Sequence, residues 1–132
     1  MSENFNADDS CHTGIEHFQA GSIPEAISCF SLALQQDQQH LQSYIYLGLC
    51  MKQVGENEKA KLCYRAALDL NPDLPEVRYN LGNILQAKGD LPAAGACYEA
   101  AVALQPGFAL AYYNLGNVRR DQGQLDDAIG HY

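Results

Sequence analysis

The sequence predicts an all-α fold assembled as an array of one small unit, and three observations predict it. Tyr79-Asn80-Leu81-Gly82-Asn83 returns as Tyr113-Asn114-Leu115-Gly116-Asn117, thirty-four residues later. A weaker copy, Ile45-Tyr46-Leu47-Gly48-Leu49, stands thirty-four residues earlier, and Cys11-His12-Thr13-Gly14-Ile15 is the faintest. Other columns keep the same register: Gly21, Gly55, Gly89 and Gly123; Ala26, Ala60, Ala94 and Ala128; Phe30, Tyr64, Tyr98 and Tyr132; Ala33, Ala67 and Ala101. Pro72 and Pro106 close successive copies, with Gln38 where the first such Pro would stand. A fixed period of this length marks an array in which each unit packs on its neighbours. Ala26, Phe30, Ala33 and Leu34 fall on one stripe at helical spacing, so the unit is helical.

Residues 1–6 form a polar lead-in. The first repeat, 7–40, is degenerate: Ser10 replaces the large residue found as Tyr44 and Tyr112, and Thr13 replaces Leu47, Leu81 and Leu115. These losses predict a wetter outer face on a terminal first helix. Pro24 opens the second helix, at a position whose N–H would lack a partner anyway. In the second repeat, 41–74, the first helix carries Tyr44, Leu47, Gly48 and Met51 on one face, and Gly55 marks the turn. Gly48 and Ala60 let the paired helices approach, and Tyr64 is expected to fill the space between repeats. Asn71-Pro72 ends the second helix, because a residue before Pro is pushed out of the helical region. The third repeat, 75–108, repeats the plan with Pro92. The fourth, 109–132, is incomplete: a turn is expected at Gly123, followed by only the first two turns of a second helix over Asp126–Tyr132. An unfinished repeat predicts a piece of a longer chain, with apolar surface at its open end.

The columns resemble, as a set, the tetratricopeptide repeat, a helix-turn-helix unit of thirty-four residues. A large residue and Leu-Gly stand in the first helix, Gly at the turn, Ala, an aromatic and Ala in the second, then Pro. The resemblance covers residues 7–132. It implies a right-handed α-solenoid of antiparallel helix pairs, here about three and a half repeats, with a concave groove. It also implies a protein or peptide partner, and no catalysis.

Composition agrees. Apolar residues make up 47%, enough for a core, and the net charge of −8 argues against a nucleic-acid or anionic-membrane partner, since both reward Lys and Arg. No stretch reads as a targeting signal or a membrane span. Five cysteines without close pairing predict reduced thiols. The expected location is the cytoplasm.

No catalytic signature is present, and no cofactor is expected. The histidines lie outside any metalloprotease or nucleophile motif, and the Leu-Gly steps lie inside helices, not in phosphate-binding turns. Cys29, Cys63, Cys97 and His131 share one column. Helices packed about 8–10 Å apart cannot bring such a column to metal-bond distances near 2 Å, so no metal site is expected.

The candidate partner-binding residues lie on the first helices. Asn80 and Asn83 share one face, as do Asn114 and Asn117. An amide offers donors and an acceptor, so it can hold the backbone of an extended peptide. Such a ladder is similar to that of tetratricopeptide arrays attached to O-linked N-acetylglucosamine transferases. The other reading is that these amides bond neighbouring helices. The same inner face is expected to carry Tyr46, Leu49, Lys52, Tyr79, Gln86, Tyr113 and Arg120. Chaperone-tail-binding members clamp a terminal carboxylate, but the positions of their first basic residue hold Cys11, Ile45, Tyr79 and Tyr113. That departure argues against such a clamp. The sequence therefore predicts an interaction scaffold. Its alternatives are the N-terminal recruiting module of a larger transferase, glycosyltransferase-like or other, and an array that self-associates through its open end.

Overall fold

A computed structural model describes residues 5–130. Among them are seven helices and no strand: α1 (Ala7–Gln19), α2 (Ile23–Gln36), α3 (Leu41–Gln53), α4 (Asn57–Leu70), α5 (Pro75–Ala87), α6 (Leu91–Leu104) and α7 (Ala109–Gly130). The first six alternate between 13 and 14 residues, as a repeated pair requires. Part of the lead-in, His131 and Tyr132 lie outside the described residues. The chain forms two compact units, one through Pro72 and one from Asp73.

The turns explain the glycine column. Gly21, Gly55 and Gly89 have φ of 82°, 86° and 87°, a left-handed conformation that glycine adopts without a Cβ clash. Each sits just past a helix end and donates to a carbonyl of the last turn: Gly21 to Phe18, Gly55 to Lys52, Gly89 to Gln86. The next residue reaches one carbonyl further back: Ser22 to His17, Glu56 to Met51, Asp90 to Leu85. This pair of bonds satisfies carbonyls that a helix end would leave orphaned. At the other end of the first helix, Asn6 and Asp9 cap each other reciprocally, at 2.9 and 3.1 Å.

In the first unit, Phe30, Ala26 and Ala33 are fully buried and meet Cys11, Leu47 and Cys50 in one cluster. Burial of a Phe side chain contributes about 1.5–3 kcal/mol. Tyr46 stacks on Phe30 at 5.5 Å and meets Phe18 edge-on at 5.6 Å. Ser10 departs from the expected wet face. It is 1% exposed, and its hydroxyl donates to Gln36 Oε1 at 2.7 Å. A small polar residue there lets the Gln36 amide reach in, where it also donates to the Phe5 carbonyl at 2.8 Å. Its burial is thereby compensated.

In the second unit, Val77, Leu81, Ile84 and Leu85 of α5 share the core with Ala94, Tyr98 and Ala101 of α6. Ala111, Leu115 and Val118 bring one face of α7 onto α6. The aromatic column reaches the glycine of its own helix pair. A Cβ on Gly14 would stand 2.7 Å from the Phe30 ring, on Gly48 2.5 Å from Tyr64, and on Gly82 2.7 Å from Tyr98.

The fourth copy departs from the expected plan. No turn forms at Gly123: α7 is one helix of 22 residues, and Gly123 lacks the positive φ of the other three. Helix extension adds one hydrogen bond per residue, whereas a turn is repaid only when a second helix packs back on the first. A Gly inside a helix costs about 1 kcal/mol, too little to break this one.

Candidate functional site

The second unit gathers five polar side chains of α5, α6 and α7 into one chain of hydrogen bonds. The Tyr98 hydroxyl lies 2.6 Å from Asn83 Oδ1 and 2.7 Å from Gln86 Oε1. One hydroxyl proton cannot serve two acceptors. Asn83 Oδ1 is fixed as an acceptor, because Asn114 Nδ2 donates to it at 3.0 Å. The Tyr98 hydroxyl therefore donates to Asn83. The Gln86 amide, turned by half a rotation, donates to Tyr98. Asn114 Nδ2 also reaches the Tyr79 hydroxyl at 3.4 Å. The Tyr79 ring is held by Phe108 at 4.9 Å and by Tyr98 at 5.9 Å.

The chemistry of this network is that of a fixed amide. Asn114 directs its N–H groups inward, and among the described residues its Oδ1 carries no hydrogen bond. A carbonyl oxygen so oriented can accept from an incoming N–H. Burial pushes the Tyr98 hydroxyl up to about 12, with a smaller opposing effect from Asn114, so it stays a neutral donor near pH 7.

The remaining candidates divide by unit. On α5, Asn80 is half-buried and its side chain makes no hydrogen bond among the described residues. On α7, Tyr113 is 69% exposed and Arg120 is exposed, its Nη2 donating to Asn117 Oδ1 at 3.1 Å. In the first unit, Leu49 is half-buried and Lys52 exposed, while Tyr46 is engaged with Phe18 and Phe30. Of the expected ladder, Asn83 and Asn114 are brought together by a direct bond between helices.

Tyr98 is the hub that the sequence did not reveal, where it stands only as a member of the aromatic column. The signal was the difference between copies. Asn83 and Gln86 fall where the second repeat has Leu49 and Lys52. There the equivalent Tyr64 hydroxyl is buried with no hydrogen-bond partner among the described residues.

Cys29, Cys63 and Cys97 are half-buried thiols. Among the described residues, no group of three or more His, Cys, Asp or Glu could hold a metal ion. No helix there is long and apolar enough to cross a membrane.

Two family models match the chain. A "TPR repeat" model covers residues 52–89, and a "Tetratricopeptide repeat" model covers 79–132. No curated protein matches. Among solved structures, MamA is similar at a TM-score of 0.86 and 24% identity, over 95% of this chain and 73% of that one. The first TPR of Spaghetti (RPAP3), bound to the HSP90 peptide SRMEEVD, aligns at 0.85 and 19% identity, over 92% and 96%. The Yersinia enterocolitica type III secretion chaperone SycD, in complex with a peptide of the translocator YopD, aligns at 0.83 and 16% identity, over 92% and 97%. At these identities the likeness shows the fold.

Proposed function

From the premise that this chain is an all-α array of tetratricopeptide repeats, we propose that it is a protein-interaction scaffold that holds an extended peptide segment of a partner against α5 and α7. The observation that carries this reading is the Asn83–Asn114 bond and the network around it. It fixes an amide whose oxygen carries no hydrogen bond among the described residues, on the helix that also presents the exposed ring of Tyr113. Preorganised polar groups with a large aromatic neighbour suit recognition of a peptide backbone, since little entropy is lost on binding. Two of the structural neighbours are complexes with peptides, which supports a peptide partner here. Tyr79 and Tyr113 stand at two of the positions where a carboxylate clamp would place its first cation. The proposed ligand is therefore read along its backbone rather than at its C-terminus.

Selection from a displayed library of short peptides supplies ligands for the test. Asn80→Ala, which disturbs no hydrogen bond among the described residues, is expected to weaken the selected peptides by about three- to tenfold, the scale of one lost hydrogen bond. Unchanged affinity in both Asn80→Ala and Tyr113→Ala, with helicity intact, overturns the reading.

A further inference from the structure

Tyr64 and Tyr98 hold the same pose over their glycines. A Cβ on Gly48 would meet Tyr64 Cε1, Cδ1 and Cζ at 2.5, 2.8 and 3.1 Å, and one on Gly82 would meet the same three atoms of Tyr98 at 2.7, 3.0 and 3.1 Å. The Tyr98 hydroxyl is thereby aimed at residues 83 and 86 of α5, and its proton goes to Asn83 Oδ1. The same pose aims the Tyr64 hydroxyl at residues 49 and 52 of α3. Leu49 stands there in place of the acceptor, and Lys52 in place of Gln86. Tyr64 is fully buried, and its hydroxyl has no hydrogen-bond partner among the described residues. An unpaired buried hydroxyl is costly. The fold does not require it, because Phe30 fills the same column with a plain ring.

Lys52 is exposed, and among the described residues its ammonium is in no ion pair. Burial pushes the Tyr64 hydroxyl well above its ordinary value, so it keeps its proton near pH 7. An ammonium has three donors and no acceptor, so any bond it makes to Tyr64 leaves the phenol proton still to be given. Two donors, one of them charged, ask for an anionic oxygen. We infer that Tyr64 and Lys52 form a carboxylate-binding subsite in the first unit. A carboxylate oxygen of a partner peptide takes from Tyr64 the hydrogen bond that Asn83 Oδ1 takes from Tyr98, and Lys52 neutralises its charge. The flexible four-carbon stem of Lys52 turns aside to admit that oxygen without a backbone shift. The site differs from the clamp considered above, whose first cation would stand at Ile45 in this repeat. It does not rest on the reading of α5 and α7.

The test is an NMR titration of the 132-residue chain, followed at the backbone amides of Lys52 and Tyr64. The probes are acetyl-Gly-Glu-Gly-amide, acetyl-Gly-Gly-Gly with a free C-terminal carboxylate, and acetyl-Gly-Gln-Gly-amide as the neutral counterpart. Saturable shifts are expected with a carboxylate peptide and none with the glutamine peptide; a response to the first, the second or both identifies the source of the carboxylate. Tyr64→Phe should weaken binding by about three- to tenfold, the scale of one hydrogen bond, and the fold is kept because the ring remains. Lys52→Gln should weaken it at least as much. Leu49→Asn supplies within the chain the acceptor that Tyr98 has in Asn83, so in that background Tyr64→Phe should no longer change the affinity. A Tyr64→Phe variant that binds the carboxylate peptides as the parent does shows that Lys52 attracts them by charge alone, and overturns the proposal. Equal responses to the glutamate and glutamine peptides overturn it too, as does no response to either carboxylate.

Discussion

The ring of Tyr98 lies over Gly82 so closely that a Cβ there would stand 2.7 Å from Tyr98 Cε1. At Gly14, Gly48 and Gly82 the glycine is thus a steric requirement imposed by the facing ring. Gly82→Ala should destabilise the chain by about 1–3 kcal/mol, because overpacking outweighs the roughly 1 kcal/mol gained in helix propensity. Gly116→Ala meets no ring within 4 Å. In dilute single chains it should stabilise by up to about 1 kcal/mol. Urea denaturation of the two variants checks this; effects of equal sign and size would show that ring contact is not what selects glycine.

Tyr98 and Tyr64 occupy the same column with opposite hydrogen-bond outcomes. Tyr98→Phe removes the hub between Asn83 and Gln86 and leaves both amides short of a partner. A loss of about 1–3 kcal/mol is expected. Tyr64→Phe removes a buried hydroxyl that has no partner among the described residues. Its effect should lie near zero or be stabilising by up to about 1 kcal/mol. Comparable losses in both would mean that the Tyr64 hydroxyl finds a partner in solution.

The helix pairs and their turns were legible in the sequence because each rests on a local rule that recurs. Gly21, Gly55 and Gly89 needed positive φ, and the Ala and aromatic columns needed one face. The fourth turn was not legible, because Gly123 looks identical in the column. Whether it turns depends on a second helix packing back onto α7, which is tertiary and not local. The burial of Ser10 was missed for a similar reason. A Ser in a column of large residues reads as wet until Gln36, twenty-six residues away, is seen to receive its proton. The asparagines were legible as a face but not as a circuit. The bond from Asn114 to Asn83 uses the Asn83 oxygen and an Asn114 N–H between helices, while the Asn114 oxygen and the Asn80 side chain keep the peptide-binding reading open to test.

Tyr79 and Tyr113 stand in one column and should separate stability from binding. Tyr79 is packed against Phe108 and Tyr98 and accepts from Asn114. Tyr79→Ala should cost about 2–3 kcal/mol, below the full cost of a buried aromatic because the ring is half-buried. Tyr113 is 69% exposed. Tyr113→Ala should change stability by less than about 0.5 kcal/mol while reducing affinity for selected peptides. A Tyr113→Ala variant that binds as well as the parent would remove this ring from the proposed surface.

The thiols give the fold a defined alkaline limit. Burial, reinforced by the neighbouring Cys63, raises the Cys50 thiol from 9.0 to about 11, and burial alone raises Cys63 to about 11. Burial also holds Tyr98 up to about 12, from 10.0. Each folded value exceeds the unfolded one, so between the two the folded chain binds more protons. Stability is then complete below pH 9 and is lost as pH rises through about 11. Thermal unfolding followed from neutral pH to pH 11 should show the melting temperature falling across that window. Cys50→Ala, which removes one of the titrating groups, should flatten the fall relative to its own value at neutral pH. A melting temperature that holds level over the window in the parent chain would mean that these thiols ionise in the folded chain as readily as in the unfolded one.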